Sequence, residues 1–469
     1  MAAHVGARPG TGPAVAFGRD QRWNFAVLGG DIALFTFGLS ISSAYTILPL
    51  FVHHLSASNV AVALIPAVRA LGLYAPQLAV SSQVERLRRA KPLILFVTTI
   101  ERLPFLVLAL AAPLLAARQP AVLLVLFYLM IGLHQLGGGL GYPAWLDLIA
   151  RTIPDGWRGR FFGLWTGVGG LLGIGGAAIA AAIIAGVAWP LSFSLIFAGT
   201  FAAFIVSFIL LALGREPSRQ SVRPRPAAAR DLAGSRPLAM AAPAVRQRAR
   251  GLVAIFRADR GLSALVAANA AAGVATMGAG LFAVSALGRG GLTPVQVGAE
   301  STVLVLATTA GTVLWGFVGD HVGQRAVLVC AALCMALAVA APLLASGLVA
   351  YTFAFLLLGL SVSAALLAQL TFIAEFAPSA RRPTYIALAS VAYAPFAVGA
   401  PIIGGVLADH WGYRVVYAIA LAAAVVAAVV YQLWVPEPRH GVPRTAPQVS
   451  PTSSAARERR PREEATDER

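Results

Sequence analysis

The sequence is short of charge. Only 12% of its 469 residues are Asp, Glu, Lys or Arg, against 58% hydrophobic, and the mean hydropathy is +0.77. A soluble chain carries about a quarter charged residues and covers its surface with them. That excludes a string of soluble domains, which length alone would permit. Acidic residues are the scarcer kind, 19 against 36 basic. Cysteine is limited to Cys330 and Cys334, four residues apart in one apolar run with no histidine nearby. They share a helical face. They offer neither a disulfide framework nor a metal cluster, and read as small buried hydrophobes. There is no Gly-rich lysine motif for nucleotide phosphates, no HExxH and no GxSxG. No cofactor or metal is expected.

What the sequence has is apolar runs long enough to cross a bilayer, about 20 residues each. They fall at 25–50, 59–82, 92–115, 120–146, 161–187 and 190–213, then at 262–287, 295–318, 326–346, 348–375, 384–407 and 413–434. Helix is the expected structure, since backbone polar groups in lipid must pair within their own segment. The runs do not alternate, which argues against a β-barrel. The expectation is an all-α polytopic membrane protein with twelve transmembrane helices, placed in a cell (inner) membrane.

Basic residues orient the spans. Thirty-one of the 36 Lys and Arg fall in the termini, the central loop and the even-numbered connections; Arg118, Arg289 and Arg414 lie opposite, and Arg69 and Arg102 lie inside spans. The positive-inside rule puts both termini and the central loop in the cytoplasm. The net charge of +17 then belongs to a cytoplasmic face beside lipid headgroups, and no nucleic-acid partner is expected. Residues 1–24 read as a cytoplasmic tail without the order of a signal peptide, and 435–469 as a disordered tail. The stretch 214–261 is an Arg- and Pro-rich linker; Val245, Leu252, Val253 and Phe256 recur among its arginines at the spacing of a surface helix. Bundles of six spans, 25–213 and 262–434, flank it.

The bundles repeat one another. LIARTIPDGWRGRFFGLWTGVGG follows the fourth span and FIAEFAPSARRPTYIALASVAYA the tenth; Pro154 falls on Pro378, Arg158 on Arg382 and Gly175 on Gly399. Both copies run in the same direction, so the repeat is six helices in parallel with six. After the eighth span comes GFVGDHVGQR, residues 316–325, and after the second a degraded copy, SSQVERLRRAK, residues 81–91. In Gly316, Asp320, Gly323 and Arg325 the chain resembles the major facilitator superfamily, whose loop signature has glycine, acid, glycine and base at this spacing. The resemblance covers about residues 25–434. It implies two bundles that rock about a central site, and a conformational latch at Glu85, Arg86, Arg89, Asp320 and Arg325. The alternative for these five is topology alone.

Within span three, TTIERLPF places Glu101 and Arg102 about nine residues in, near mid-bilayer. An ionised group facing lipid there costs roughly 3 kcal/mol or more, so both should face other helices or a wet cavity. Adjacent positions diverge by about 100°, which makes a local Glu101–Arg102 pair awkward and favours cross-helix partners. Asp31, about two turns into span one, and Arg69, near the middle of span two, complete a candidate network. It serves either as a proton or substrate relay or as a static ion network. Pro104 removes a hydrogen bond to Ile100 and favours a kink. His134 and Gln135 in span four are candidates for solute contact or helix bridging. Trp145 reads as an interfacial anchor, and Asp147 as a partner for Arg151 or Arg158. In the second half Gln369, Tyr393 and Ser363 are the cavity candidates, and charge is scarce, which suits an amphipathic or hydrophobic solute.

The leading expectation is secondary transport of a small solute by a monomer, with protons as the coupling ion and efflux as the direction. Uptake or facilitated diffusion, a receptor or scaffold, and an integral-membrane enzyme are the alternatives. The orientation is testable in a cysteine-free background. A cysteine at Arg118 should react with an impermeant maleimide in intact cells, and one at Arg160 only after permeabilisation. The opposite pattern would invert the topology.

Overall fold

A computed structural model describes residues 18–84, 89–216, 260–376 and 382–437, with side chains described in these ranges except at 77–84, 155, 369–376 and 382–392. The linker helix, most of both tails, Glu85 and Arg86 lie outside the described residues. The first half contains α1 (Arg19–Ile41), α2 (Ile47–Leu55), α3 (Asn59–Val84), α4 (Lys91–Leu115), α5 (Pro120–Thr152), α6 (Asp155–Gly186) and α7 (Leu191–Leu213). The second contains α8 (Arg260–Ala279), α9 (Phe282–Gly288), α10 (Pro294–His321), α11 (Gln324–Leu344), α12 (Leu348–Phe376), α13 (Arg382–Trp411) and α14 (Tyr413–Trp434). Among the described residues, eleven helical segments are long and apolar enough to cross a membrane. The chain is a multi-pass membrane protein.

Helix ends follow local chemistry. Thr293 accepts the Gln296 amide at 3.3 Å while the Gln296 side chain accepts the Thr293 amide at 2.8 Å, a reciprocal cap that starts α10 at Pro294. Gly323, at φ +119°, makes the tight turn into α11, a conformation that strains any side chain.

The first expected span is not continuous. The run 25–50 breaks at 42–46, where Ser42, Ser43 and Thr46 interrupt the apolar residues, and α2 continues as a separate short helix. The run 262–287 breaks at the corresponding place, between α8 and α9. Hydroxyls explain the first break: Ser and Thr offer the backbone local alternatives to the helix ladder.

Packing repeats in parallel. In the first half α1 packs on α6 and α7, α5 on α3 and α4, and α4 on α7; in the second, α8 packs on α13 and α14, α12 on α10 and α11, and α11 on α14. The halves meet through α3 with α13 and α6 with α10. The termini of α4 and α11 carry matching caps. Glu216 accepts the backbone amides of Ala90 at 2.8 Å and Lys91 at 3.1 Å, and Glu437 those of Gln324 at 3.2 Å and Arg325 at 3.0 Å. Each glutamate lies just past the last helix of its own half and neutralises the positive end of that half's α4 or α11. A side chain at 323 would collide with the Glu437 carboxyl, so Gly323 serves the cap as well as the turn.

The two ends of the molecule differ. At the end opposite the basic loops, one apolar core joins both halves, including Ile47 and Phe51 of α2, Phe282 of α9 and Ala408 of α13. At the basic end, here called inner, the described residues form two separate cores, one around Leu148 and Phe161 and one around Trp315 and Tyr431. Polar contacts seal the outer end. Asp409 of α13 accepts from Ser58 Oγ at 2.9 Å, from the Asn59 amide and side chain at 2.8 Å each, and from the Val60 amide at 3.3 Å. One carboxylate from the second half thus caps α3 of the first. Tyr413 donates to Asn59 Oδ1 at 2.6 Å, and the Thr46 and Ser301 hydroxyls pair across the same seam. A helix cap is worth about 1 kcal/mol, so Asp409→Ala is expected to raise external labelling of a cysteine at Ser301 about fivefold. An unchanged labelling rate would mean that the apolar core alone keeps the outer end shut.

Candidate functional site

A cavity of about 320 Å³ lies in the first half, and Asp31, Arg69, Glu101, Arg102, His134 and Gln135 all line it. Glycine lets the helices come close enough to place them. A side chain on Gly137 would collide with the Glu101 backbone at 2.8 Å, and one on Gly139 with the carbonyl oxygens of Leu73 and Gly72 at 2.6 and 2.7 Å. The triplet 137–139 therefore brings α5 against both α4 and α3.

Arg102 is the hub. Its Nε donates to the Phe204 carbonyl at 2.9 Å, Nη1 to the Thr98 carbonyl at 3.1 Å and Nη2 to Ser207 Oγ at 3.1 Å. The Ser207 hydroxyl donates onward to Asp31 Oδ1 at 2.5 Å, while the direct Arg102–Asp31 separation is 3.5 Å. A hydroxyl gives one hydrogen and accepts at its lone pairs, so Ser207 relays the contact between guanidinium and carboxylate. Trp145 Nε1 lies 3.4 Å from the other Asp31 oxygen. Phe35 and Phe208 sit 5.6 and 5.5 Å from the Arg102 guanidinium carbon, within cation–π range. Asp31 and Arg102 are 5% and 3% exposed, so both charges are buried.

Three expectations need correction. Arg102 reaches Glu101 Oε2 at 3.6 Å, so the adjacent pair forms after all; the long guanidinium stem overcomes the diverging Cα–Cβ directions. Trp145 is not simply an interfacial anchor, since its indole turns inward to Asp31. Arg69 shares the cavity but forms no ion pair among the described residues, so it stands apart from the network. Its backbone carbonyl accepts from Gln135 Nε2 at 3.4 Å. His134 Nδ1 lies 2.7 Å from the Glu101 carbonyl. A carbonyl only accepts, so Nδ1 carries the hydrogen and bridges α5 to α4. Phe35, Phe105 and Phe204 surround the imidazole.

The second half differs. Its cavity, about 80 Å³, is lined by Asn269, Thr276, Ser361, Tyr393 and Tyr431 among apolar residues, with no charged side chain. Tyr431 donates to Asn269 Oδ1 at 2.6 Å, and Tyr393 meets Tyr74 of α3 edge to face at 6.1 Å. The Gln369 side chain lies outside the described set. Ser363 bonds the Leu360 carbonyl of its own helix at 2.9 Å. Buried Glu300 accepts from Thr352 at 2.6 Å, with its other oxygen unpartnered. At the inner end Asp320 and Arg89 are exposed, Arg325 gives its amide to Glu437, and Arg151 pairs with Asp147 and with Glu216 at 3.1 Å.

Sequence reading missed Ser207, Asp409, Glu216 and Glu437. Two signals pointed to three of them, and none to Asp409. Ser207 is the only polar residue in FAAFIVSFILLAL, and a Glu-Pro step ends each half, at 216–217 and 437–438.

The family model of the Major Facilitator Superfamily matches residues 265–463. A crystal structure of a D-xylose–proton symporter superposes with TM-score 0.63 at 15% identity, over 89% of this chain and 98% of the other. This chain has the major facilitator fold. A bacterial homologue of the iron transporter ferroportin, in an inward-facing state, gives TM-score 0.63 at 15% identity over 90% and 100%. The xylose transporter XylE from E. coli, in a partially occluded inward-open conformation, gives 0.61 at 14% over 91% and 100%. A search of curated proteins by sequence finds no match.

Removing one partner of a buried ion pair costs about 3–5 kcal/mol, because the other charge is left uncompensated. Arg102→Leu should therefore lower the melting temperature sharply, and Asp31→Asn combined with Arg102→Leu should recover much of the loss. Additive losses would mean that the two charges are not coupled.

Proposed function

We propose that this chain moves a small amphipathic solute across the membrane by alternating access, with a proton bound at the Asp31–Glu101 pair as the coupling ion. The unit is a monomer of twelve spans in two parallel six-helix repeats, with both termini and the linker cytoplasmic. The observation that carries the reading is the first-half cavity, where two buried carboxylates share one guanidinium. Like charges held close disfavour joint ionisation, so such a site exchanges a proton when its single counter-cation moves.

The closed outer seam and the parted inner cores support the rocking component. A bundle that turns about the α3–α13 and α6–α10 contacts breaks the Asp409 cap and brings the inner cores together. The inner-end residues Asp320, Arg325 and Arg89, with Glu85 and Arg86, then act as the latch for the opposite state. The Glu216 and Glu437 caps hold α4 and α11 within their own bundles, so each half moves as a unit.

The test is proton flux in proteoliposomes carrying an internal pH dye and exposed to a panel of amphipathic solutes. Wild type should show solute-dependent proton movement. Glu101→Gln should lose it while retaining exchange of labelled solute. Export in exchange for protons, the sequence expectation, gives solute and proton opposite signs. Undiminished proton coupling in Glu101→Gln would remove Glu101 from the pathway. A chain that moves neither solute nor protons would favour the receptor or scaffold.

A further inference from the structure

We propose that the first-half cavity takes an amphipathic organic anion, anchored on the Arg69 guanidinium, in the same loaded state that holds the proton. The inference deepens the proton-linked transport proposed above and rests on it.

The first argument is the unequal treatment of the two cavity arginines. Arg102 is saturated by two carbonyls, Ser207 and two carboxylates. Arg69 lines the same cavity and forms no ion pair or side-chain hydrogen bond among the described residues. The phenols of Tyr45 and Tyr74 lie within electrostatic range of its charge, as does His134. A guanidinium keeps its proton, so its charge persists through the cycle. A planar carboxylate matches its fork of donors better than any neutral group does.

The second argument is charge balance. The charged groups facing Glu101 are Arg102 on its own helix, Asp31 on α1 and Arg69 on α3; from α5 come His134, whose Nδ1 is committed to the Glu101 carbonyl, and the phenol of Tyr142. With both acids ionised, Asp31, Glu101, Arg69 and Arg102 cancel. One proton on the acid pair leaves a positive charge, and Arg69 is where it stands uncompensated. An anion restores neutrality. An organic cation would instead have to displace Arg102 from Asp31, which already accepts from Ser207 and Trp145, or compete with Arg102 for Glu101. Phe35, Leu39 and Leu73 supply apolar wall to the same cavity, and the uncharged second-half cavity offers no rival anchor.

Proton and anion then share the loaded state and move in the same direction, which departs from the exchange expected from the sequence. The test uses three probes with one apolar part: 3-phenylpropionate, 3-phenylpropylamine and 3-phenylpropanol. Binding to the full chain in detergent is measured by titration calorimetry at pH 5.5 and 7.5. The carboxylate should bind, and more tightly at pH 5.5. Arg69→Gln should weaken it about tenfold or more while leaving the alcohol unchanged, as expected for loss of a charge-assisted contact. Arg69→Lys should recover part, since it keeps charge without the fork. Glu101→Gln should bind the carboxylate equally at both pH values. Preference for the amine, carboxylate binding that survives Arg69→Gln, or no carboxylate binding at millimolar concentration would overturn the assignment. Solute-dependent proton flux with the amine alone would sink the anion while sparing proton-linked transport. Carboxylate binding by a chain that moves no protons would do the reverse.

Discussion

The placement of Arg102 inside the membrane constrains everything around it. A lone guanidinium at that depth is costly, by roughly 3 kcal/mol on insertion scales and more in simulation. The fold answers with partners from three helices: Asp31 on α1, Thr98 and Glu101 on α4, and the Phe204 carbonyl and Ser207 on α7. The helix pairs α1–α7 and α4–α7 must therefore be close at this level, and they are among the packed pairs of the bundle. Glycines 137–139 then admit α5 to the same level, with His134 bonded to the backbone of Glu101. A charged cluster that would be a liability in lipid becomes the element that fixes four helices around a cavity.

The same cluster leaves the halves free to move. Each of its bonds lies within the first bundle, and the second bundle has its own uncharged centre around Asn269 and Tyr431. What joins the bundles is of a different kind: an apolar core at the outer end, where side chains slide with little directional cost, and a few polar contacts at the seam, made by Asp409 at a helix end, by Tyr413 with Asn59 and by Thr46 with Ser301. Packed interfaces of this type have a few discrete arrangements, which is what a rocking motion requires. Glu216 and Glu437 cap the inner ends of α4 and α11 from inside their own halves, so the seams stay weak where movement is needed and the bundles stay firm where it is not.

Much of this was legible in the sequence, for reasons that particular residues make plain. Apolar runs report burial in lipid directly, so helices such as Lys91–Leu115 and Tyr413–Trp434 lie within a residue or two of the expected spans. Charges inside such runs are so costly that Asp31, Arg69, Glu101 and Arg102 stood out without any alignment. Their pairing was not legible, because it depends on rotamers: Arg102 reaches its own neighbour Glu101, while Arg69 meets neither acid. The breaks near Ser42 and Gly280 were missed because both sides are equally apolar, and hydropathy is blind to a change of direction. Asp409 was missed because its meaning lies in a contact with Asn59, some 350 positions away in the chain.

The central claim is that the acid pair around Arg102 takes up and releases a proton. Infrared difference spectroscopy of the protein in lipid, between neutral and acidic pH, observes this without a substrate. The account predicts a carboxylic C=O band that appears on acidification in wild type and is lost or displaced in Glu101→Gln. A band that persists unchanged in both Glu101→Gln and Asp31→Asn, or no buried carboxyl band at all, would make the cluster a static brace and contradict the coupling.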